Sequence, residues 1–265
     1  MMRKYFVLVK NILGEYTAYR LNFIMWRLRT VMGFLMTYFV WLAIYGKDEI
    51  LFGYQLKQML TYIVLGRVVG SLVYATRTQK TADEINQGDL SNFLLKPFSY
   101  FSYLWAYDFA DKAINLFFSI FELSFLIFIL KPSLVFQTNP GYLFLFIISI
   151  FLGVFLYFNF SLLISFIGFW SPETWAPRFI FWILLDFLAG NFVPLDVFPR
   201  ILSQTLSILP FSYFVFFPLK IYLGQLGLGQ LLTYFSIGLF WLWFLNIMVN
   251  KVWQKGLKIY TAEGR

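Results

Sequence analysis

The chain has 265 residues, of which 60% are hydrophobic and only 13% are charged, about half the charged fraction of a soluble domain. This composition predicts an all-α protein that crosses a lipid membrane several times. The net charge of +8 does not indicate nucleic-acid binding, because the Lys and Arg residues flank apolar blocks, where they set membrane topology. Cysteine and histidine are absent, which excludes disulfides and removes the commonest metal ligand, so we expect no catalytic, cofactor or metal site.

The N-terminal segment, residues 3–22, alternates basic and aromatic residues and places apolar residues at helical spacing. This pattern predicts an amphipathic helix that lies in the headgroup layer of the membrane. No uninterrupted apolar core precedes a small-residue cleavage site, so we expect no removable signal peptide. Arg27 and Arg29 stand at the start of the first apolar block, where we expect their side chains to reach the membrane surface.

Six apolar blocks follow along the chain and predict six transmembrane helices in one domain, residues 1–265. The fourth block is long for one crossing and the fifth is short. Between the fifth and sixth blocks lies an apolar stretch interrupted by prolines, residues 194–224, which we call the proline-rich segment. The predicted spans cover about residues 23–45, 58–76, 113–130, 142–170, 179–193 and 228–249.

A polar stretch between the second and third spans, residues 81–97, has the sequence T-A-D-E-I-N-Q-G-D-L-S-N-F-L-L-K-P; we call it the polar segment. Thr81 and Glu84 have the spacing of a capping box, and Gly88 is suited to a left-handed helix end. The pattern predicts a short helix over residues 82–87, then a second apolar cluster. Two short structured pieces with exposed apolar side chains are typical of a docking surface for another protein; the alternative is an ordinary loop.

The distribution of basic residues predicts the orientation in the membrane. Six Lys and Arg residues precede residue 30, four lie in the predicted loop 77–112, one is Arg178 and four lie in the C-terminal tail, whereas the opposite loops hold five. This bias predicts that both termini and the polar segment face the cytoplasm.

Three ionisable residues fall inside predicted spans: Arg67, Glu122 and Asp186. Each would cost about 3 kcal/mol at mid-membrane without compensation, so we expect them to face protein or water. One hypothesis pairs Arg67 with Glu122 or Asp186 across a helix interface near a translocation path. The alternative is that these charges serve packing or reach the interface and touch no substrate.

The chain contains no G-x-x-x-x-G-K-[ST] phosphate-binding loop. Its nearest glycine-rich stretch, residues 223–230, lacks the lysine and the preceding strand, so a turn before the sixth span is the better interpretation.

Two stretches in register with the six spans resemble the permease subunits of ABC type-2 exporters, in the branch of small stand-alone six-span permeases. The first is E-I-N-Q-G-D-L-S-N-F-L-L-K-P at residues 84–97. The second is G-N-F-V-P-L-D-V-F-P at residues 190–199, which continues to L-P-F at 209–211, to Pro218 and to Gly224. Order and spacing match over nearly the full chain.

The resemblance implies that the polar segment seats a coupling helix in a groove of a separate ABC ATPase subunit, which would carry the ATP and Mg²⁺; no cofactor is expected in this chain. It also implies a second permease half, either a copy of this chain or a paralogous subunit, and a place in the inner (plasma) membrane. The residues that would carry the coupling role are Thr81, Asp83, Glu84, Ile85, Gln87, Gly88, Asp89, Leu90, Phe93 and Leu94.

The resemblance further implies that the proline-rich segment forms a re-entrant helical hairpin on the outer side, and that residues 3–22 match the family's interfacial connecting helix. Broken apolar backbone is tolerated at membrane depth only where it is buried in protein or lines a cavity. The residues that carry this comparison are Gly190, Pro194, Leu195, Phe198, Pro199, Pro210, Phe211 and Pro218.

Three other classes stay open from the residues alone: a secondary transporter or channel, an integral membrane enzyme, and a structural scaffold. A secondary transporter more typically has broken helices in both halves of the chain, and here only the second half has one. An enzyme would need clustered carboxylates, His or Cys at a membrane face, and Asp108 and Asp111 at one span entry are a weak candidate. Export as the direction of transport follows from the resemblance alone, and the sequence does not name the substrate.

Overall fold

The computed structural model of the chain describes residue 14 and residues 16–46, 50–97 and 99–261. Most of the interfacial helix predicted at residues 3–22 therefore lies outside the described residues, as does part of the first polar loop. The helices are α1 (Arg20–Ile44), α2 (Leu56–Val73), α3 (Gln79–Asn86), α4 (Leu90–Leu94), α5 (Tyr100–Leu130), α6 (Pro140–Ser165), α7 (Trp175–Leu188), α8 (Arg200–Ile208), α9 (Phe216–Tyr222) and α10 (Leu228–Ile259).

A short hairpin joins α1 to α2. Its strands β1 (Ile50–Leu51) and β2 (Tyr54–Gln55) pair antiparallel, with Leu51 opposite Tyr54. Phe52 and Gly53 between them both have positive φ, 54° and 81°, which is the backbone that a two-residue hairpin turn requires.

Among the residues that the structure describes, five helices are long and apolar enough to cross a membrane: α1, α2, α5, α6 with its 3-10 extension to Phe169, and α10. The chain is thus an all-α, polytopic membrane protein. The fifth predicted span corresponds to α7, which has 14 residues and a length of about 21 Å, shorter than a hydrocarbon core. Helix α7 ends early because Gly190 takes a left-handed conformation with φ of 78°.

Two helix boundaries differ from the sequence-based expectation. Helix α5 begins at Tyr100 and not at residue 113, so the predicted loop 77–112 ends well before Lys112. The charges taken as loop residues are buried in this helix, where Asp108 and Lys112 form an i,i+4 ion pair at 3.2 Å. Helix α10 continues past residue 249 to Ile259, because its last turns bury Gly256 while Lys255 and Lys258 stay exposed.

The second half of the proline-rich segment lies in the centre of the molecule. Five consecutive residues, 213–217, have side chains that are at most 1% exposed. Their closest neighbour is α6: a Cβ added to Gly153 would stand 2.6 Å from the Tyr213 carbonyl oxygen, so this backbone approach requires glycine. The first half is different, since Ile201 on α8 is 82% exposed.

Hydrogen bonds from other helices satisfy the irregular backbone around this segment. The Trp41 indole donates to the Phe192 carbonyl at 2.9 Å, and the Tyr62 hydroxyl donates to the Gly190 carbonyl at 2.7 Å. The Tyr54 hydroxyl and the Lys220 ammonium both reach the Asp196 carboxylate, at 2.7 and 2.6 Å. Buried backbone outside regular helices is thereby paired, as a low-dielectric surrounding demands.

Candidate functional site

The helix at the start of the polar segment is α3, which is longer than the sequence predicts. It begins at Gln79, so Thr81 lies inside the helix and is fully buried. The predicted capping box of Thr81 and Glu84 is therefore wrong. The competing contact is Tyr100 on α5, whose hydroxyl donates to the Glu84 carboxylate and lies within hydrogen-bond distance of Thr81 Oγ1, at 3.0 Å.

Glu84 is held at this buried contact. Burial raises the pKa of the Glu84 carboxyl above its usual value of 4.5, and the hydrogen bond from Tyr100 and the charge of Lys80 oppose that shift only in part. Tyr100 is itself stacked on Trp253 of α10, with ring centroids 5.3 Å apart and planes 6° from parallel. The middle of α3 is thus fastened to α5, and through Tyr100 to α10.

The start of α3 is fastened to α6 and α7 by a hydroxyl network. Thr78 Oγ1 lies 2.5 Å from Ser161 Oγ, and Ser165 Oγ donates to the Thr78 carbonyl at 2.7 Å. Arg178 of α7 is buried and donates to both serine hydroxyls, at 3.2 Å to Ser161 and 2.5 Å to Ser165. Residues from three helices therefore meet at one turn.

The end of α3 is fastened to α10. Gly88 has φ of 80°, the left-handed conformation that the sequence predicts there. The Tyr260 hydroxyl donates to the Gly88 carbonyl at 2.7 Å and accepts from the Ser91 backbone N–H at 3.1 Å. A residue that directly follows α10 thus holds the turn between α3 and α4.

The two faces of the polar segment differ in exposure. Ile85 and Leu90 are at most 4% exposed and pack against the protein, so the prediction of exposed apolar side chains is wrong for these two. Leu94 and Leu95 at the end of α4 are 45% and 85% exposed, which agrees with it. The exposed polar side chains of the outer face are those of Asp83, Gln87, Asp89 and Asn92.

A cleft of about 730 Å³ lies between α1, α2, α5 and α7. Its lining includes Gln79, Lys80 and Asp83 near the polar segment and extends to Asn191 and Phe192 beyond α7. Arg178 near the start of α7 is linked through Ser161 and Ser165 to Thr78, which directly precedes α3, so the cleft follows the length of α7, about 21 Å.

The charged residues of the predicted spans are arranged differently from the hypothesis. Glu122 pairs with Arg27, at 2.5 Å between Nε and Oε1, and not with Arg67. Arg27 was expected to reach the membrane surface, but it is 8% exposed and lies over the Phe118 ring. Arg67 and Asp186 both line the cleft, and the Asn191 amide donates to the Asp186 carboxylate at 3.2 Å.

A second buried charge ties α5 to the end of α2. The Lys112 ammonium pairs with Asp108 and also donates to the carbonyl oxygens of Val73 and Ala75. These carbonyls lie at the C-terminus of α2, where a cation is favourable because the last helical carbonyls carry partial negative charge. Asp108, one of the two carboxylates considered for an enzymatic site, is thus held in an ion pair inside the protein.

A family model described as ABC-2 family transporter protein matches residues 31–264 of the chain. This match covers nearly all of the sequence.

The chain belongs to the ABC-2 transporter family. The family assigns it as a multi-pass membrane protein whose relatives are typically non-catalytic permeases, and it implies an ATPase partner. No curated protein matches the chain.

In this ABC-2 transporter chain, sequence reasoning missed the residues that hold the polar segment. Tyr100 and Tyr260 are aromatic residues in a chain with 17 tyrosines, so nothing local distinguishes them. Arg178 was easier to single out in the sequence. A charged residue beside an apolar block costs free energy when it is buried, and a hydrogen-bond network is needed to offset that cost. The ion pair of Arg27 with Glu122 was open to prediction from the same principle.

Proposed function

We propose that this protein is the permease subunit of an ATP-driven exporter and that the outer face of the polar segment docks on a separate ATPase. The observation that carries the proposal is the attachment of α3. Its inner face is fastened to α5, α6, α7 and α10 by Tyr100, Arg178, Tyr260 and their partners, while its outer face is exposed. A push on α3 would be transmitted to four helices at once.

In this proposal ATP and Mg²⁺ bind the partner ATPase, and this chain performs no hydrolysis. The cleft along α7 forms half of the translocation path, and a second permease half, a copy of this chain or a paralogue, supplies the other half. A cleft whose lining runs from the polar segment to the far end of α7 has the extent that such a path needs.

The membrane arrangement belongs to the same proposal. Helix α7 makes the fifth of six crossings, shortened because the proline-rich segment folds back into the membrane as a re-entrant hairpin. The burial of residues 213–217 supports that interpretation, as does the hydrogen bond that the Phe216 N–H donates to the Ala189 carbonyl at 3.1 Å. The basic-residue bias supports a cytoplasmic location of both termini and the polar segment at the inner (plasma) membrane.

The test is co-purification of the full chain with the ATPase expressed beside it. Leu94→Asp together with Leu95→Asp changes two exposed side chains on the proposed docking face, so the complex and the stimulated ATP hydrolysis should be lost without loss of folding. The matched control is Leu228→Asp, 75% exposed at the first turn of α10. Because α10 is about 48 Å long and its other end contacts the polar segment, Leu228 lies far from the docking face.

Undiminished complex formation by the double variant would overturn the docking role of this face. Failure of any ATPase to bind the wild-type chain would instead favour a secondary transporter or channel.

A further inference from the structure

Around Arg67 the lining of the cleft contains more positive than negative charge. Arg29, Arg67 and Asp186 line it, and Asp186 is within electrostatic reach of both arginines. Arg27 and Glu122 lie close to Arg67 but form their own ion pair at 2.5 Å. One carboxylate therefore faces two guanidinium groups.

Arg67 is the residue whose positive charge is left without a close acidic partner in the described part of the chain. It lies in the second half of α2 and is half-buried, and its side chain makes no hydrogen bond or ion pair with any residue that the structure describes. Each charged neighbour of opposite sign has another close partner: Arg27 for Glu122, and the Asn191 amide for Asp186. A guanidinium in this position has five donors and strong attraction for an anion, because a low-dielectric surrounding screens charge weakly.

Aromatic side chains surround the same part of the cleft. The indoles of Trp26 and Trp182 and the rings of Phe34 and Tyr157 contribute to its wall. Such a wall accepts an apolar body, and the volume of about 730 Å³ falls within the range of small-molecule sites. The cleft thus combines an apolar surface with a cationic group, Arg67, that can anchor an anion.

We propose that the cleft binds an anionic amphiphile, a molecule with an apolar body and a negatively charged head such as a phosphate ester, and that Arg67 contacts the head. This rests on the proposed function only in treating the cleft as the path of the cargo. Asp186 limits the affinity, since its carboxylate competes for the same guanidinium, and so allows the anion to leave after it binds.

The experiment measures tryptophan quenching in the full chain reconstituted in phosphatidylcholine nanodiscs. The probes are three dibrominated twelve-carbon amphiphiles that differ only in the head: a phosphate, a trimethylammonium and an uncharged alcohol. Bromine quenches nearby tryptophans, and Trp26 and Trp182 report on the cleft. We expect saturable quenching by the phosphate probe, and only a linear partitioning response from the other two.

Two variants with opposite expected effects test the roles of the charges. Arg67→Gln should weaken binding of the phosphate probe about tenfold, since a charge-assisted hydrogen bond is lost, and Arg67→Lys should restore most of it. Asp186→Asn should strengthen binding several-fold, because it removes the competing carboxylate. The control Arg200→Gln removes one charge from an exposed position outside the cleft and should leave binding unchanged.

Equal responses to the three probes would overturn the proposal, as would unchanged binding in both Arg67→Gln and Asp186→Asn. Inorganic phosphate serves as a competitor of the phosphate probe. If it displaced the probe at equal concentration, the apolar body would not be recognised, and the assignment of the ligand as an amphiphile would be overturned. The assay needs no ATPase. Failure to bind ATPase together with saturable phosphate-probe binding would therefore reject the exporter proposal and leave the ligand assignment standing.

Discussion

At the scale of single residues, several charges inside the helical domain are held in ion pairs. Arg27 contacts Glu122 at 2.5 Å and lies 3.5 Å from the Ser119 hydroxyl, so a residue near the start of α1 is fixed to the middle of α5. Removing one partner of such a pair leaves the other charge without compensation in a low-dielectric surrounding.

The first prediction concerns this pair. Arg27→Glu or Glu122→Arg alone should lower the free energy of unfolding by about 3 kcal/mol, because each places like charges in contact. Exchanging both residues should recover a large part of that loss in a thermal-unfolding measurement of the detergent-solubilised protein. Exchanging Arg67 with Glu122 serves as the control and should not recover stability. The observed pairing would be contradicted if this exchange recovered stability and the exchange of Arg27 with Glu122 did not.

Glu84 allows a prediction about pH. Its pKa is raised by burial, so the protonated form is favoured in the folded protein, and the corresponding stability is lost as the pH rises from 4.5 through the folded value. Glu84→Gln keeps an oxygen to accept from Tyr100 and does not ionise. The melting temperature of the variant should therefore rise relative to that of the wild type as the pH increases from 5 to 8. A melting temperature of the variant that falls relative to the wild type with rising pH would refute this. The control for net charge is Asp83→Asn, at an exposed neighbouring position.

At the scale of helices, the polar segment depends on contacts far away in sequence. Tyr260 follows the last helix and closes the turn between α3 and α4 by two hydrogen bonds, at 2.7 and 3.1 Å. The short helix α4 has five residues and cannot be stable by itself, since helices of this length do not offset their nucleation cost.

Tyr260→Phe should loosen this turn without unfolding the protein. Two hydrogen bonds worth about 1 kcal/mol each are lost, so backbone amides of residues 86–94 should exchange with deuterium about thirtyfold faster. Hydrogen-exchange mass spectrometry gives the measurement. The control Tyr142→Phe removes a hydrogen bond to the Leu226 carbonyl at the other end of α10 and should leave the exchange of residues 86–94 unchanged. Unaltered exchange in Tyr260→Phe would show that packing alone holds the turn.

At the scale of the whole molecule, α10 extends from the proline-rich segment at its start to the polar segment at its end. Its first residue, Leu228, lies beside the proline-rich segment, and Tyr260 after its last turn contacts the polar segment. A helix of 32 residues is about 48 Å long, enough to cross the hydrocarbon core and extend beyond it.

The orientation can be tested directly because the chain contains no cysteine. A single cysteine at Leu95 should react with an impermeant maleimide only in inside-out vesicles, whereas one at Leu228 should react in intact cells. Both side chains are well exposed on the surface of the protein, 85% and 75%. Labelling of Leu95→Cys in intact cells would place the polar segment outside and exclude its contact with a cytoplasmic ATPase.

The amino-acid sequence by itself determined the membrane class, the family resemblance, the approximate positions of five spanning helices and the left-handed turn at Gly88. These follow from local properties: apolar run length, basic flanks and the conformational freedom of one glycine. The tertiary structure alone decided that Glu84 bonds Tyr100 and not Thr81, that Arg27 is the partner of Glu122, and that Asp108 and Lys112 lie inside a helix. Each outcome depends on which side chains meet across helices, because a buried polar group takes whichever partner the packing brings within reach.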